Sequence, residues 1–387
     1  MMVRLGTPVR RLAPVVIAAL LVTAAGSAMA SQQLDPTLEI HGRRLALSRP
    51  EVHKLSVLRG LLSSSNRGAQ DRALADAQMV ATSPDARYLL AVLQFEIGQR
   101  RGDDALRLRG LDVLLASPET PRRLLPGYLG LRGDIAYRSG DHPTAESAWT
   151  RLAELQPGDP QPLFNLAQVR AARGDPAGAV ALLRRAIATP PATGRAVPES
   201  WHRQWLSIAY NGGLTEETAA AGQALVAAHP TPANWRLALV AYRQLAAPDG
   251  AAEVELLRLM RAAGAFAGPD EYQRLAQLLL HGGSAAEAKA VLDEGLSRGT
   301  LSSADARTRD IGIEIDRALA RRASPETPPA PLPAIASEMR RATSLLLAGS
   351  HSEAEAILRP IAEGTADRWY PDLARFWLIR LRQGSYR

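Results

Sequence analysis

Seven histidines, His41, His53, His142, His202, His229, His281 and His351, are the side chains best suited to proton transfer or metal binding near neutral pH. Their spacing assembles neither chemistry. A zinc-binding helix needs two of them one turn apart on one face, and no pair here meets that condition. His142 and His351 each follow a glycine that reads as a helix end, a place where a solvated ring is expected. The neighbouring carboxylates Glu216 and Glu217, and Glu253 and Glu255, stand one or two positions apart, so on a helix they point in different directions and cannot flank one bond. They read as surface residues. Without cysteine there is no thiol nucleophile, and neither a Gly-x-Ser-x-Gly elbow nor a phosphate loop ending in Gly-Lys-Ser/Thr occurs. The expectation is a chain that is not an enzyme and takes no cofactor and no metal.

Recognition is the chemistry that remains. Asp134, Tyr137, Arg138, Phe164, Gln168, Arg203, Tyr210, Arg236, Arg243, Gln273 and Gln277 could line one surface, provided the chain places them on equivalent faces of successive helices. Arginine forks, amides and aromatic rings together suit an extended or helical peptide segment of acidic character.

The elements that would do so are read from an internal period. Gly140-Asp141 recurs as Gly174-Asp175, Ala145 as Ala179, Arg151 as Arg185 and Pro157 as Pro191, each pair 34 residues apart. That is the period of the tetratricopeptide repeat (TPR), a helical hairpin with a Gly-opened turn, a small residue at the helix crossing and a closing proline. The predicted fold is all-α, a TPR-type α-solenoid of about six to seven hairpins in a right-handed superhelix, partly degenerate. Its strongest units are 126–159, 160–193, 199–232 and 269–300 within an array over 85–323. A degenerate unit over 232–269 keeps Trp235, Leu239 and Tyr242 without a closing proline at the expected distance. Trp149, Trp205, Trp235 and Tyr242 are assigned to packing. Residues 31–84 are expected to hold an atypical helical pair, and 335–387 a TPR-like hairpin with an aromatic helix from Tyr370 to Arg382. Between array and hairpin lies a proline-rich linker, 324–334, expected to hinge the last unit or set it apart.

At the amino end, Arg4, Arg10 and Arg11 precede an apolar run from Leu12 to Ala25, and Ala28-Met29-Ala30 precedes Ser31. This reads as a signal peptide, residues 1–30, cleaved after Ala30 for export to the periplasm, since a spanning helix needs about 20 apolar residues. No stable membrane span is expected in the mature chain. Of 46 basic residues only Lys54 and Lys289 are lysine, and the net charge of +7 falls to +4 without the three signal arginines. The 39 acidic residues are interspersed throughout, which excludes a nucleic-acid footprint.

Pro198-Glu-Ser-Trp201, Leu206, Tyr210, Trp235-Arg-Leu-Ala238, Tyr242, Leu275 to Gly283 and Ala286 to Leu292, with Gly295 to Gly299, resemble the carboxyl-terminal units of one bacterial family. That family is the periplasmic TPR proteins encoded beside TonB, ExbB and ExbD. The resemblance spans 198–299 and implies a scaffold or adaptor with protein partners, TonB, ExbB or ExbD among them, in energising outer-membrane transport. The alternative is a scaffold for envelope assembly or polysaccharide export; a glycan-modifying enzyme on a helical solenoid ranks below both.

Overall fold

The structure is a computed structural model that describes residues 37–189, 196–321, 332–365, 367 and 369–384. The signal segment 1–30, Pro190, Pro191 and the linker from Ser324 to Pro331 lie outside the described residues. Among the described residues, eighteen α-helices and one two-stranded hairpin form two compact units, one ending at Val169 and one starting at Arg170. The architecture is the expected all-α array of TPR-type helical hairpins.

The first unit opens with a feature outside the helical expectation for 31–84, an antiparallel hairpin of β1 (Thr37–Ile40) and β2 (Arg43–Ala46). His41 and Gly42, with φ of 54° and 81°, make the two-residue turn that matches strand twist. Then come α1 (Arg49–Gly60), α2 (Arg67–Val80), α3 (Pro84–Arg101), α4 (Asp104–Ala116), α5 (Leu125–Arg138), α6 (His142–Leu155) and α7 (Gln161–Ala172), whose last turn crosses into the second unit. Glu51 ties the start of α1 to the start of α3: it accepts from the Ser48 N–H (2.8 Å) and from the Ser83 N–H (2.9 Å). Burial pushes its carboxyl up, but the backbone N–H groups of Ser83 and Ser48 outweigh that and hold it down to about 2.

The turn from α5 to α6 shows why Gly-Asp marks the repeat. Gly140 takes φ of 80°, which costs an L-residue about 1–2 kcal/mol, and Asp141 caps α6 by accepting from the Thr144 N–H at 3.1 Å. Asp103 and Asp249 cap α4 and α12 (Gly250–Ala262) in the same way. The hairpin then closes because Gly133 of α5 has no Cβ; one built there would run into the Trp149 indole of α6. Trp149 is 2% exposed, as its packing assignment requires.

In the second unit α8 (Pro176–Ala188), α9 (Glu199–Asn211), α10 (Thr215–Ala228) and α11 (Pro232–Ala246) precede α12. After it come α13 (Pro269–His281), α14 (Ala285–Ser297) and α15 (Ala306–Arg321). The sequence reading did not resolve α15 as an element; it buries only Thr308, Ile311 and Ile315 and turns a polar face outward, as an array end must. The carboxyl-terminal hairpin is α16 (Ala334–Leu347) and α17 (His351–Glu363), followed by α18 (Tyr370–Arg382), which spans the predicted aromatic helix.

This last group is not set apart. It folds back within the second unit, with α18 against α10 and α12, and α16 against α12. The degenerate repeat explains the place. α11 packs on α10 more extensively than on α12, and the turn after it lacks glycine, so Ala247 itself adopts the left-handed region at φ 44°, ψ 61°.

Candidate protein-interaction faces

The predicted groove residues divide between the units. In the first, α5 carries Asp134, Tyr137 and Arg138, and α7 carries Phe164 and Gln168. Asp134 is half-buried, and that burial raises its carboxyl pKa against the opposing pull of Arg138. The Tyr137 ring lies 5.7 Å from Trp149, and exposed Arg138 pairs with Asp104 at 2.9 Å. Phe164 and Gln168 are half-buried.

In the second unit the corresponding groups are engaged by other side chains of the array, most of them in the next repeat. Arg203 donates to Glu199 and to Asn234, each at 2.7 Å, and Asn234 in turn donates to Glu199 at 3.2 Å. Arg236 donates to Glu271 (2.6 Å) and to the Ala265 carbonyl (3.0 Å). Gln273, 4% exposed, donates to Asp305 (2.9 Å) and Thr308 (3.0 Å), while Gln277 accepts from Arg307 at 3.1 Å. The Tyr210 hydroxyl donates to Gln244, and Arg243 pairs with Glu253. Glu199 to Asn234, Arg236 to Glu271 and Gln273 to Thr308 each span 35 residues, close to one repeat, so these side chains form a polar ladder between the first helices of successive hairpins.

Two carboxylates read as surface groups are interior. Glu253 and Glu255 are 7% and 3% exposed. Glu253 bridges Arg243 and Arg274, whereas Glu255 pairs with buried Arg258, which also reaches Glu287 on α14. Burial raises the Glu255 carboxyl, with Arg258 opposing, and the Thr343 side chain of α16 lies beside it. Spacing alone did not show that a second layer of helices covers α12.

That layer seats α18 on the second unit through an aromatic centre and a polar rim. Phe376 of α18 is fully buried against Trp235 and Tyr242 of α11, at ring-centroid distances of 6.1 and 6.0 Å, and its ring tip lies close to Gly222 of α10. Around this aromatic centre the segment satisfies helix ends that have no intrahelical partner. Gln383 donates to the Val226 carbonyl near the end of α10 (2.8 Å), Trp369 to Ala246 at the end of α11 (3.0 Å), and Arg380 to Ala262 at the end of α12 (2.8 Å). An amphipathic helix with a central aromatic anchor and polar contacts at its rim is a recurrent mode of helix recognition.

The array also gathers His202 and His229, 27 positions apart and unpaired in the sequence reading. Their rings meet edge to face at 5.3 Å, and His202 is 5% exposed. His142, expected to be solvated, is half-buried beside Tyr137, while His351 is exposed. In the first unit a crevice of about 210 Å³ lies between α4, α5 and α6, where Arg132 pairs with Asp112 (2.8 Å) and Arg151 caps the Leu115 carbonyl (3.2 Å).

Among the described residues no helix is long and apolar enough to cross a membrane. The tetratricopeptide repeat family profile matches residues 131–193, from within α5 past the end of α8. No curated protein matches the chain. Repeats of this kind are protein-interaction modules, and the match assigns the chain a protein-binding scaffold role at that coarse level.

Proposed function

We propose that the chain is an exported, non-catalytic TPR scaffold of the periplasm, and that it serves a TonB–ExbB–ExbD system energising outer-membrane transport. The observation that carries the scaffold reading is the tetratricopeptide match over 131–193, whose two hairpins each show the glycine turn and aspartate cap of the repeat. Export is supported by the arginine, apolar and Ala-Met-Ala succession of residues 1–30, and the TonB connection by the resemblance over 198–299.

The partner is assigned to the α5 and α7 face of the first unit. Arg203, Arg236 and Arg243, the cations first suited to an acidic segment, already hold carboxylate or amide groups of the array. Asp134 of α5 and Phe164 of α7 put a half-buried acid and a half-buried ring on that face. A segment bringing a cationic group to Asp134 would offset the burial that raises its carboxyl.

The test places a photoreactive amino acid at Gln168 in the tagged full chain and crosslinks it in its native envelope. Recovery of TonB, ExbB or ExbD, weakened at least tenfold by Phe164→Ala, is the expected result. Crosslinks only to envelope-assembly or polysaccharide-export proteins would move the chain to that second reading. A chain retained in the cytoplasm would end both.

A further inference from the structure

The crevice between α4, α5 and α6 is a different surface from the α5 and α7 face. Arg132 lines it, whereas Asp134 belongs to that face, and side chains two positions apart on a helix point in different directions. The floor of the crevice is apolar, with Leu115, Leu129 and Ala148 at 8%, 2% and 1% exposure. At about 210 Å³ it has room for one large apolar side chain, since an apolar cavity of about 150 Å³ holds a benzene ring.

The rim is cationic. Arg132 is fixed through Nε by Asp112 at 2.8 Å, and Arg151 through Nη1 by the Leu115 carbonyl at 3.2 Å. Two guanidinium groups therefore border the floor against one lining carboxylate. Arg151 is exposed and, among the described residues, pairs with no carboxylate. Its anchor is a neutral carbonyl, so its charge is unmatched.

The banks are apolar as well. Val113 stands three positions before the lining Ala116 on α4, and Leu155 four positions after Arg151 on α6, so each shares a helix face with a lining residue. They are 40% and 46% exposed. A single exposed valine or leucine is ordinary, but two that flank an apolar crevice with a charged rim mark a contact surface. A trough between two helices is the shape that a third helix fills.

We propose that this crevice docks an amphipathic helix of a partner protein, which inserts one leucine-sized side chain over Leu115 and Leu129 and sets an Asp or Glu, one turn away, against Arg151. The carboxylate is the complement that Arg151 lacks within the chain, and a guanidinium fork holds it by charge-assisted hydrogen bonds. The inference depends neither on the TonB reading nor on the α5 and α7 face.

Two fluorescent, covalently stapled helical peptides test it on the full chain. One presents Leu and Glu four positions apart on a surface of alanine and glutamine, and the other carries Gln in place of that Glu. The first should bind about tenfold or more tightly than the second, and Arg151→Gln in the protein should erase the difference. Ala116→Trp places a ring at the mouth of the crevice and should abolish binding of both. Ala116 and Arg151 are exposed, so neither substitution disturbs the core, and thermal unfolding of each variant checks this. The proposal is overturned if the unmodified chain binds neither peptide or binds both equally. It is equally overturned if Arg151→Gln leaves the difference between them intact, or if Ala116→Trp leaves their binding unmoved.

Discussion

Phe376 and Trp235 stand with ring centroids 6.1 Å apart at an interplanar angle of 52°, one from the last helix of the chain and the other from its most degenerate repeat. Both are essentially inaccessible to water, at 0% and 1% exposure. The irregular repeat and the terminal helix are therefore two halves of one packing arrangement.

Removing that ring should be felt well beyond α18. Phe376→Ala is expected to cost about 3–5 kcal/mol, the range for emptying a buried aromatic site, while Phe376→Leu should cost clearly less. Denaturant midpoints of the full-length variants measure it, and a shift below about 1 kcal/mol for the alanine variant would contradict the packing described.

Ala247→Gly tests the turn of the degenerate repeat. With φ at 44° the alanine sits where glycine rests without steric penalty, so the substitution should raise stability by up to about 1 kcal/mol after the unfolded-state entropy of glycine is subtracted. A loss of stability would show that Ala247 is not strained.

Arg258→Met should leave Glu255 buried without its cation, at a cost of about 3–5 kcal/mol. Replacing both, Glu255→Leu with Arg258→Met, should recover most of that loss, since the pair is harder to break than to replace. The two variants, compared by thermal unfolding, should differ in that order; equal losses would mean that Glu255 does not depend on Arg258.

His202 sets a pH dependence. Burial chiefly, and then the neighbouring His229, lowers the pKa of His202 below its usual 6.5, while the Pro198 carbonyl and Glu199 oppose this. The groups around it are Glu199 and Arg203 on α9, His229 after α10 and Asn234 on α11. Below pH 6.5 the unfolded chain binds the proton that folded His202 resists, so its contribution is whole above that pH and lost as pH falls through the folded value. His202→Gln should flatten the stability profile between about pH 6.5 and 5. An unchanged profile would remove His202 as the cause.

What the sequence made legible was the local chemistry of the repeat. Gly140-Asp141 and Gly174-Asp175 announce both the end of one helix and the cap of the next, because each pair satisfies backbone groups only a few residues away. The β-hairpin escaped although its turn was readable, since His41-Gly42 between two four-residue strands is a short signal beside long helical ones. Contacts set by distant residues were not readable at all. Glu255 looks like a surface acid until α16 covers α12, and Arg236 looks available until Glu271 is brought to it by the next repeat. The aromatic excess on α11, with no glycine in the turn after it, was the one local sign that something else packs there.

Backbone hydrogen exchange on the full chain, compared between the unmodified protein and Phe376→Ala, tests most directly that the terminal helix completes the array. The account predicts lost protection in α10, α11 and α12, residues 215–262, together with α16–α18. Loss confined to residues 334–384, with 215–262 as protected as before, would contradict it.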